Sequence, residues 1–267
     1  MDQPWLTISV LMVGFATGIL SGMFGVGGAV ISTPAIRALG VGPIDAIGTT
    51  LPSILPSAIS GTLRYRRERL IRWHVVGTVG LLGSAAAIGA SFLSHRVPGH
   101  GHVLMIATAA LVAFTAWRMS TSKQEPESIE PAATPVGGGH DVSGAGWHAA
   151  LIGLAAGGLS GLLGVGGGVI MVPAFSQWIG MPIKEAVGTS LACVGLLAIP
   201  STLTHMYLGD IEWAYAIPLS IGVIPGARVG AFLALRASDE NLRKSVAVTL
   251  AIIAAVYATG EIVAMVR

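Results

Sequence analysis

One segment of this chain occurs twice, and neither copy can be a plain helix. GFATGILSGMFGVGGAVISTP at 14–34 returns as GLAAGGLSGLLGVGGGVIMVP at 153–173. Each copy is an apolar run cut by a glycine cluster and then by a proline. Glycine and proline both interrupt helices, so each copy should be two short helical arms joined at a break.

Composition says in which solvent such a break must survive. The 267 residues are 53% hydrophobic and only 10% charged, with mean hydropathy +0.76, whereas a soluble domain carries about 25% charged residues. The formal net charge of +2 is too small for nucleic-acid binding, and the Lys and Arg residues fall in short loops between apolar runs. Cys193 is the sole cysteine, which excludes an internal disulfide and a cysteine metal cluster. No G-x-x-x-x-G-K-[ST], no H-E-x-x-H and no strand-borne dinucleotide motif is present, so no metal, cofactor or catalytic residue is expected.

Apolar stretches cover 6–39, 47–63, 73–93, 103–117, 147–179, 186–203, 213–235 and 246–266. A spanning helix needs about 20 residues, so most stretches qualify as single spans. The two that contain the repeated segment are too long for one span and too short for two. Each is expected to be a glycine-broken hairpin that enters and leaves on one side, since irregular backbone at membrane depth survives only inside protein or beside a watery cavity. The acidic start, Met1 to Pro4, does not resemble a basic leader with a cleavage site, and no cleaved signal peptide is expected.

The likeness continues beyond the glycines. Gly48, Thr49, Thr50 and Leu51 match Gly188, Thr189, Ser190 and Leu191, and Trp73 matches Trp213. The chain therefore divides into a first membrane repeat, 1–119, a flexible linker, 120–146, rich in proline and glycine, and a second repeat, 147–267. The expected fold class is an all-α membrane protein of two inverted-topology repeats, each a glycine-broken helical hairpin plus three transmembrane helices.

Inversion is inferred from charge, because Lys and Arg concentrate in cytoplasmic loops. The loop 64–72 holds Arg64, Arg66, Arg67, Arg69 and Arg72, whereas its counterpart 204–212 holds Asp210 and Glu212 and no Lys or Arg. The next pair reverses: 94–102 holds only Arg96, and 236–244 holds Arg236, Arg243 and Lys244. The trace gives outside termini and a cytoplasmic linker in the inner membrane. Arg37 fits this trace poorly.

The paired L-S-G-x-x-G-V-G-G segments, each followed by a proline and then by a G-T-[TS]-L helix, resemble the TauE/SafE family of sulfite and organosulfur anion exporters. The resemblance covers the chain apart from the linker. It implies a bacterial or archaeal permease that moves sulfite, sulfoacetate or related sulfonates by alternating access without ATP, though membership does not fix the substrate or direction. An anion channel and an uptake permease for another small organic anion remain alternatives. The expected partners are a small anion and the lipid bilayer, with no nucleic acid; a homo-oligomer is compatible with the sequence.

Candidate site residues follow from paired breaks, which in membrane proteins point to solute sites. Gly25, Gly27, Gly28, Gly164, Gly166 and Gly167 can free helix N-termini, whose unpaired N–H groups bind anions without a cationic side chain. Thr49, Thr50, Thr189 and Ser190 begin the helix after each hairpin and could line the site; Ser53, Ser57 and Gln177 rank below them. Arg228 is singled out because it lies roughly 12 Å inside an apolar span, where a charge ordinarily marks a pathway or a partner. Its first-half equivalent is taken as Ala87, and its plainer role is a snorkelling side chain.

Gly14, Gly18 and Gly22, with Gly153, Gly157 and Gly161, show the four-residue spacing of helix-packing faces. His74, His205 and Glu261 are titratable but sit near expected interfaces, where a solvated role is favoured over proton coupling. The G-x-S-G at Ser160, with His205 downstream, superficially resembles a rhomboid intramembrane serine protease. The recurrence of that serine as Ser21 argues for packing instead.

Overall fold

The computed structural model describes residues 4–94, 96–97, 102–121 and 142–266. Ten helices lie among the described residues: α1 (Pro4–Phe24), α2 (Ala29–Ala38), α3 (Pro43–Arg67), α4 (Trp73–Ser94), α5 (His102–Thr121), α6 (Val142–Leu163), α7 (Gly168–Trp178), α8 (Ile183–Leu208), α9 (Trp213–Arg236) and α10 (Asp239–Val266). α5 and α6 run into the expected linker, whose residues 122–141 lie outside the described ones.

Each glycine cluster ends one helix and starts another, as its composition requires. Gly25, Gly27 and Gly28 have φ of 71, 85 and 78°, and Gly164, Gly166 and Gly167 have 65, 74 and 69°. Residues with a Cβ avoid this left-handed region. The hairpins are lopsided: α1 has 21 residues, about 31 Å, while α2 has 10, about 15 Å or half a hydrocarbon core. Val10 of α1, Ile36 and Val41 around the end of α2, Ala46 of α3 and Leu219 of α9 form one buried cluster. The hairpin thus returns to the side from which α1 set out.

The glycine stripes of α1 and α6 are packing faces. Side chains at Gly14 and Gly18 would meet Leu219 and Gly222, then Val223 and Ala227, of α9; those at Gly222, Gly226 and Gly230 would meet Leu11, Phe15 and Ile19. α1 and α9 therefore run parallel at backbone contact. The same holds where Gly153, Gly157 and Gly161 meet Val79, Gly83 and Ala87 of α4. These contacts correct one alignment: Gly22 meets Ala227 as Gly161 meets Ala87, so the equivalent of Ala87 is Ala227, and Arg228 aligns with Ile88.

α3 and α8 cross the centre antiparallel. Thr49, early in α3, accepts the Glu212 backbone N–H at 2.9 Å, and Thr189, early in α8, accepts the Arg72 N–H at 3.1 Å. The start of each helix is thus seated on the turn that ends the other. One end of the molecule collects Arg64 and Arg236 against the Phe232 ring, the Arg72–Glu185 pair at 2.9 Å and the Lys184–Asp239 pair at 3.3 Å. The other end carries Asp45, Asp210 and Glu212 around the starts of α3 and α9. The first is the basic end and the second the acidic end.

The outer surface is apolar. Ile8, Met12, Leu81, Phe92, Phe114, Leu151, Ile217, Ile221 and Ile252 are exposed, and all six tryptophans are exposed at or near helix ends: Trp5, Trp73, Trp117, Trp147, Trp178 and Trp213. Tryptophan at helix ends and aliphatic side chains between them is the pattern of a bilayer-facing surface. Seven helices among the described residues are long and apolar enough to cross a membrane. α3 is not one of them, because its 25 residues include Asp45, three terminal arginines and a buried run of Ser and Thr.

Candidate functional site

The two glycine breaks, 139 residues apart in sequence (164 − 25), converge in space. A side chain at Gly168 would start 2.5 Å from the Gly25 carbonyl oxygen and 2.7 Å from the Val26 Cα. Side chains at Gly27 and Gly166 would start 2.5 and 3.1 Å from the same atom, Val194 Cγ1, with Ile54 beside both. Ile54 and Val194 are aligned residues of α3 and α8, both wholly buried. The breaks therefore close on a buried apolar contact.

The breaks are held crosswise. The Ser190 hydroxyl on α8 donates to the Gly25 carbonyl at 2.8 Å, and Gly25 abuts Val187; Gly164 in turn abuts Ile47 of α3. Thr50 donates to the Ile47 carbonyl and lies 3.1 Å from the Thr33 hydroxyl on α2. Thr49 and Thr189 are at the two ends, where their oxygens accept backbone N–H groups. The structure thus brings Gly25, Gly27, Gly28, Thr50, Gly164, Gly166, Gly167 and Ser190 into one region and assigns Thr49 and Thr189 to its seats. Arg228 is not brought there, since it is exposed on the outer face of α9.

Four residues that sequence reasoning passed over complete the region. Thr17 and Ser21 on α1 lie against Gly28, the first residue before α2, and Ser57 donates to Ser21 at 2.9 Å. Ser32 donates to the Gly28 carbonyl, Thr33 meets Thr50, and Ser53 donates to the Thr50 carbonyl. All of these hydroxyl residues are buried, and the Thr17 oxygen has no hydrogen-bond partner. A usable signal was present: the second half carries Ala156, Met171, Val172, Cys193 and Leu197 where the first carries Thr17, Ser32, Thr33, Ser53 and Ser57. Hydroxyls that survive in only one copy are not demanded by the shared backbone.

The remaining expectations separate cleanly. Arg37 donates to the Val41 carbonyl, where it holds the end of the hairpin. His74 is exposed, as an interfacial residue would be. His205 is not solvated: it is fully buried, with Nδ1 2.6 Å from Asp210 Oδ2. The Ser160 hydroxyl has no hydrogen-bond partner, so the imidazole does not engage it as a nucleophile's base would. Gln177 pairs with Arg118 at 2.5 Å. The side chain of Glu261 lies outside the described residues.

Apolar spans around a duplicated, glycine-broken and hydroxyl-bearing centre define a multi-pass membrane transporter. The chain belongs to the sulfite exporter TauE/SafE family, whose model matches residues 10–257. It is 27% identical over 249 residues to a probable membrane transporter protein of Xylella fastidiosa, covering 92% of this chain and 90% of that one. It is 27% identical over 242 residues to the probable membrane transporter protein YunE of Bacillus subtilis, covering 84% and 87%. A third relative, the probable membrane transporter protein MJ0441 of Methanocaldococcus jannaschii, is 24% identical over 255 residues, covering 88% of each. No solved structure matches the chain. All three relatives are named probable membrane transporter proteins, and none is named an enzyme.

Proposed function

We propose that the chain is a secondary permease that exports small sulfur-containing anions, such as sulfite, sulfoacetate or related sulfonates, across the inner membrane by alternating access. The convergence of the two breaks carries this reading, because it places the starts of α2 and α7 on either side of one contact. Helix starts supply N–H donors and roughly half a positive charge each. An anion would displace the Ile54–Val194 contact and take donors from the breaks, with Thr50, Ser190 and the first-half hydroxyls around it.

The antiparallel course of α3 and α8 supports two repeats inverted in the membrane. The gathering of arginines at one end supports placing that end, with the linker, in the cytoplasm and both termini outside. The buried Ile54 and Val194 between the two breaks would serve as the closed centre that alternating access requires between its two open forms.

Flux in proteoliposomes against sulfite, sulfate, thiosulfate, sulfoacetate and taurine tests the assignment. Saturable movement of one anionic class, lost in Gly27→Leu and Gly166→Leu proteins that still insert, is the expected outcome. Full flux in those variants would remove the breaks as the site, and no flux of any member by the inserted parent would remove the sulfur-anion assignment.

A further inference from the structure

The two turns that seat α3 and α8 are built alike and differ in one chemical respect. In the first half the Leu70 N–H donates to the Tyr65 carbonyl at 3.1 Å around Arg69 in the left-handed region; in the second, the Asp210 N–H donates to the His205 carbonyl at 3.0 Å around a left-handed Gly209. Each turn then receives the opposite helix. Gly188 rests on the Leu70 carbonyl and Thr189 takes the Arg72 N–H; Gly48 rests on the Asp210 carbonyl and Thr49 takes the Glu212 N–H.

What differs is the pair of side chains beneath each turn. Tyr65 donates to the Gly22 carbonyl at 2.9 Å, with the apolar Leu70 beside it, an arrangement no proton alters near neutral pH. The aligned residues, His205 and Asp210, are a buried acid–base pair 2.6 Å apart. Histidine changes charge between about pH 5 and 8, and in a membrane protein a buried ionisable pair commonly marks a proton site.

We propose that His205 and Asp210 form a proton-binding site that governs opening at the acidic end. A proton taken from the water at that end converts the imidazole to imidazolium, while the carboxylate stays ionised. The charged pair then holds the α8–α9 turn on Gly48 and Thr49. When the turn lifts, the proton returns to the water on the same side. The sign follows from the pair: closure is stabilised while the imidazolium is present and weakens as pH rises and the proton leaves. Other titratable or charged groups toward this end are Asp45 on α3, Arg37 on α2, Tyr207 on α8, Glu212 in the turn, Tyr215 on α9, Tyr257 on α10, and Arg96 and His102 between the end of α4 and the start of α5. α1 carries none, and His148 on α6 and His74 on α4 lie toward the basic end.

The test reads opening directly, without any assumed substrate. Ile211, buried in the turn between Asp210 and Glu212, is replaced by Cys in a Cys193→Ala background and labelled with a membrane-impermeant maleimide. Expected is labelling that rises severalfold more steeply with pH in that protein than when His205→Gln is added. The double change His205→Tyr and Asp210→Leu, which rebuilds the first-half turn, should give the same flat profile as His205→Gln. Anion flux at each pH forms a second arm, which rests on the transport reading and should lose its pH dependence in both variants while flux persists. Should the variants fail to insert, the Ile211→Cys protein still decides: labelling with no more pH dependence than an exposed Glu212→Cys thiol overturns the proposal, as does a parallel pH profile in the inserted variants. Loss of the flux arm alone overturns only the transport reading.

Discussion

The first half carries Thr17, Ser21, Ser32, Thr33, Thr50, Ser53 and Ser57; at the aligned positions the second half carries Ala156, Ser160, Met171, Val172, Ser190, Cys193 and Leu197. The backbone is the same in both: three left-handed glycines, a short helix with an internal proline, and a seat for the opposite helix. Duplication has kept what geometry demands and released what it does not. The glycines recur because no other residue takes that backbone without strain, whereas the hydroxyls of the first half have no structural duty that Met171 or Leu197 fails to meet in the second. A ligand that made contact with one half more than the other, as the proposed anion would, would account for the difference.

The largest effect should come from what the halves share. Gly27→Leu and Gly166→Leu force a side chain into the left-handed region, at roughly 1–2 kcal/mol, and drive it onto Val194. Flux should disappear, and Gly27→Leu, the tighter site, should also melt at lower temperature in detergent. If both melt like the parent, the breaks are not fixed as the structure has them.

Next comes the contrast between the halves. Thr17→Val together with Ser57→Ala should reduce flux about tenfold or more, since hydrogen bonds to charged groups contribute about 1.5 kcal/mol or above. Cys193→Ser and Leu197→Ser, which add hydroxyls to the second half, should not raise flux. Equal losses from conservative changes around either break would erase the asymmetry.

Tyr65→Phe removes one hydroxyl bond to Gly22 and should cost about 1 kcal/mol of stability, seen as a modest fall in melting temperature with flux retained. Smallest of all, Arg228→Ala should leave flux within about twofold of the parent, because its side chain lies exposed on α9 and away from the two breaks. A larger loss would return Arg228 to the pathway and require a conformation in which α9 turns inward.

Much of the architecture is legible in the residues alone. Glycine clusters, prolines and apolar run lengths act on neighbouring backbone, so the breaks at Gly25–Gly28 and Gly164–Gly167, the helices that flank them and the packing stripes of α1 and α6 follow from local rules. Repetition then exposed the two-part plan, and the unequal arginines of 64–72 and 204–212 separated one end from the other. These are properties of short segments, for which sequence neighbours are also spatial neighbours.

Tertiary structure decided what lies between segments. Only packing could show that α1 runs beside α9 and not beside α4, that Ile54 and Val194 close the centre, and that Thr17 and Ser21 face Gly28. It also moved His205 from an expected solvated rim to a buried place beside Asp210, and Arg228 from an expected interior to the surface. The reason is the same in each case: which face of a helix is buried depends on the partner it packs against, and in a chain whose helices are apolar on nearly every side, no periodicity in the sequence names that partner.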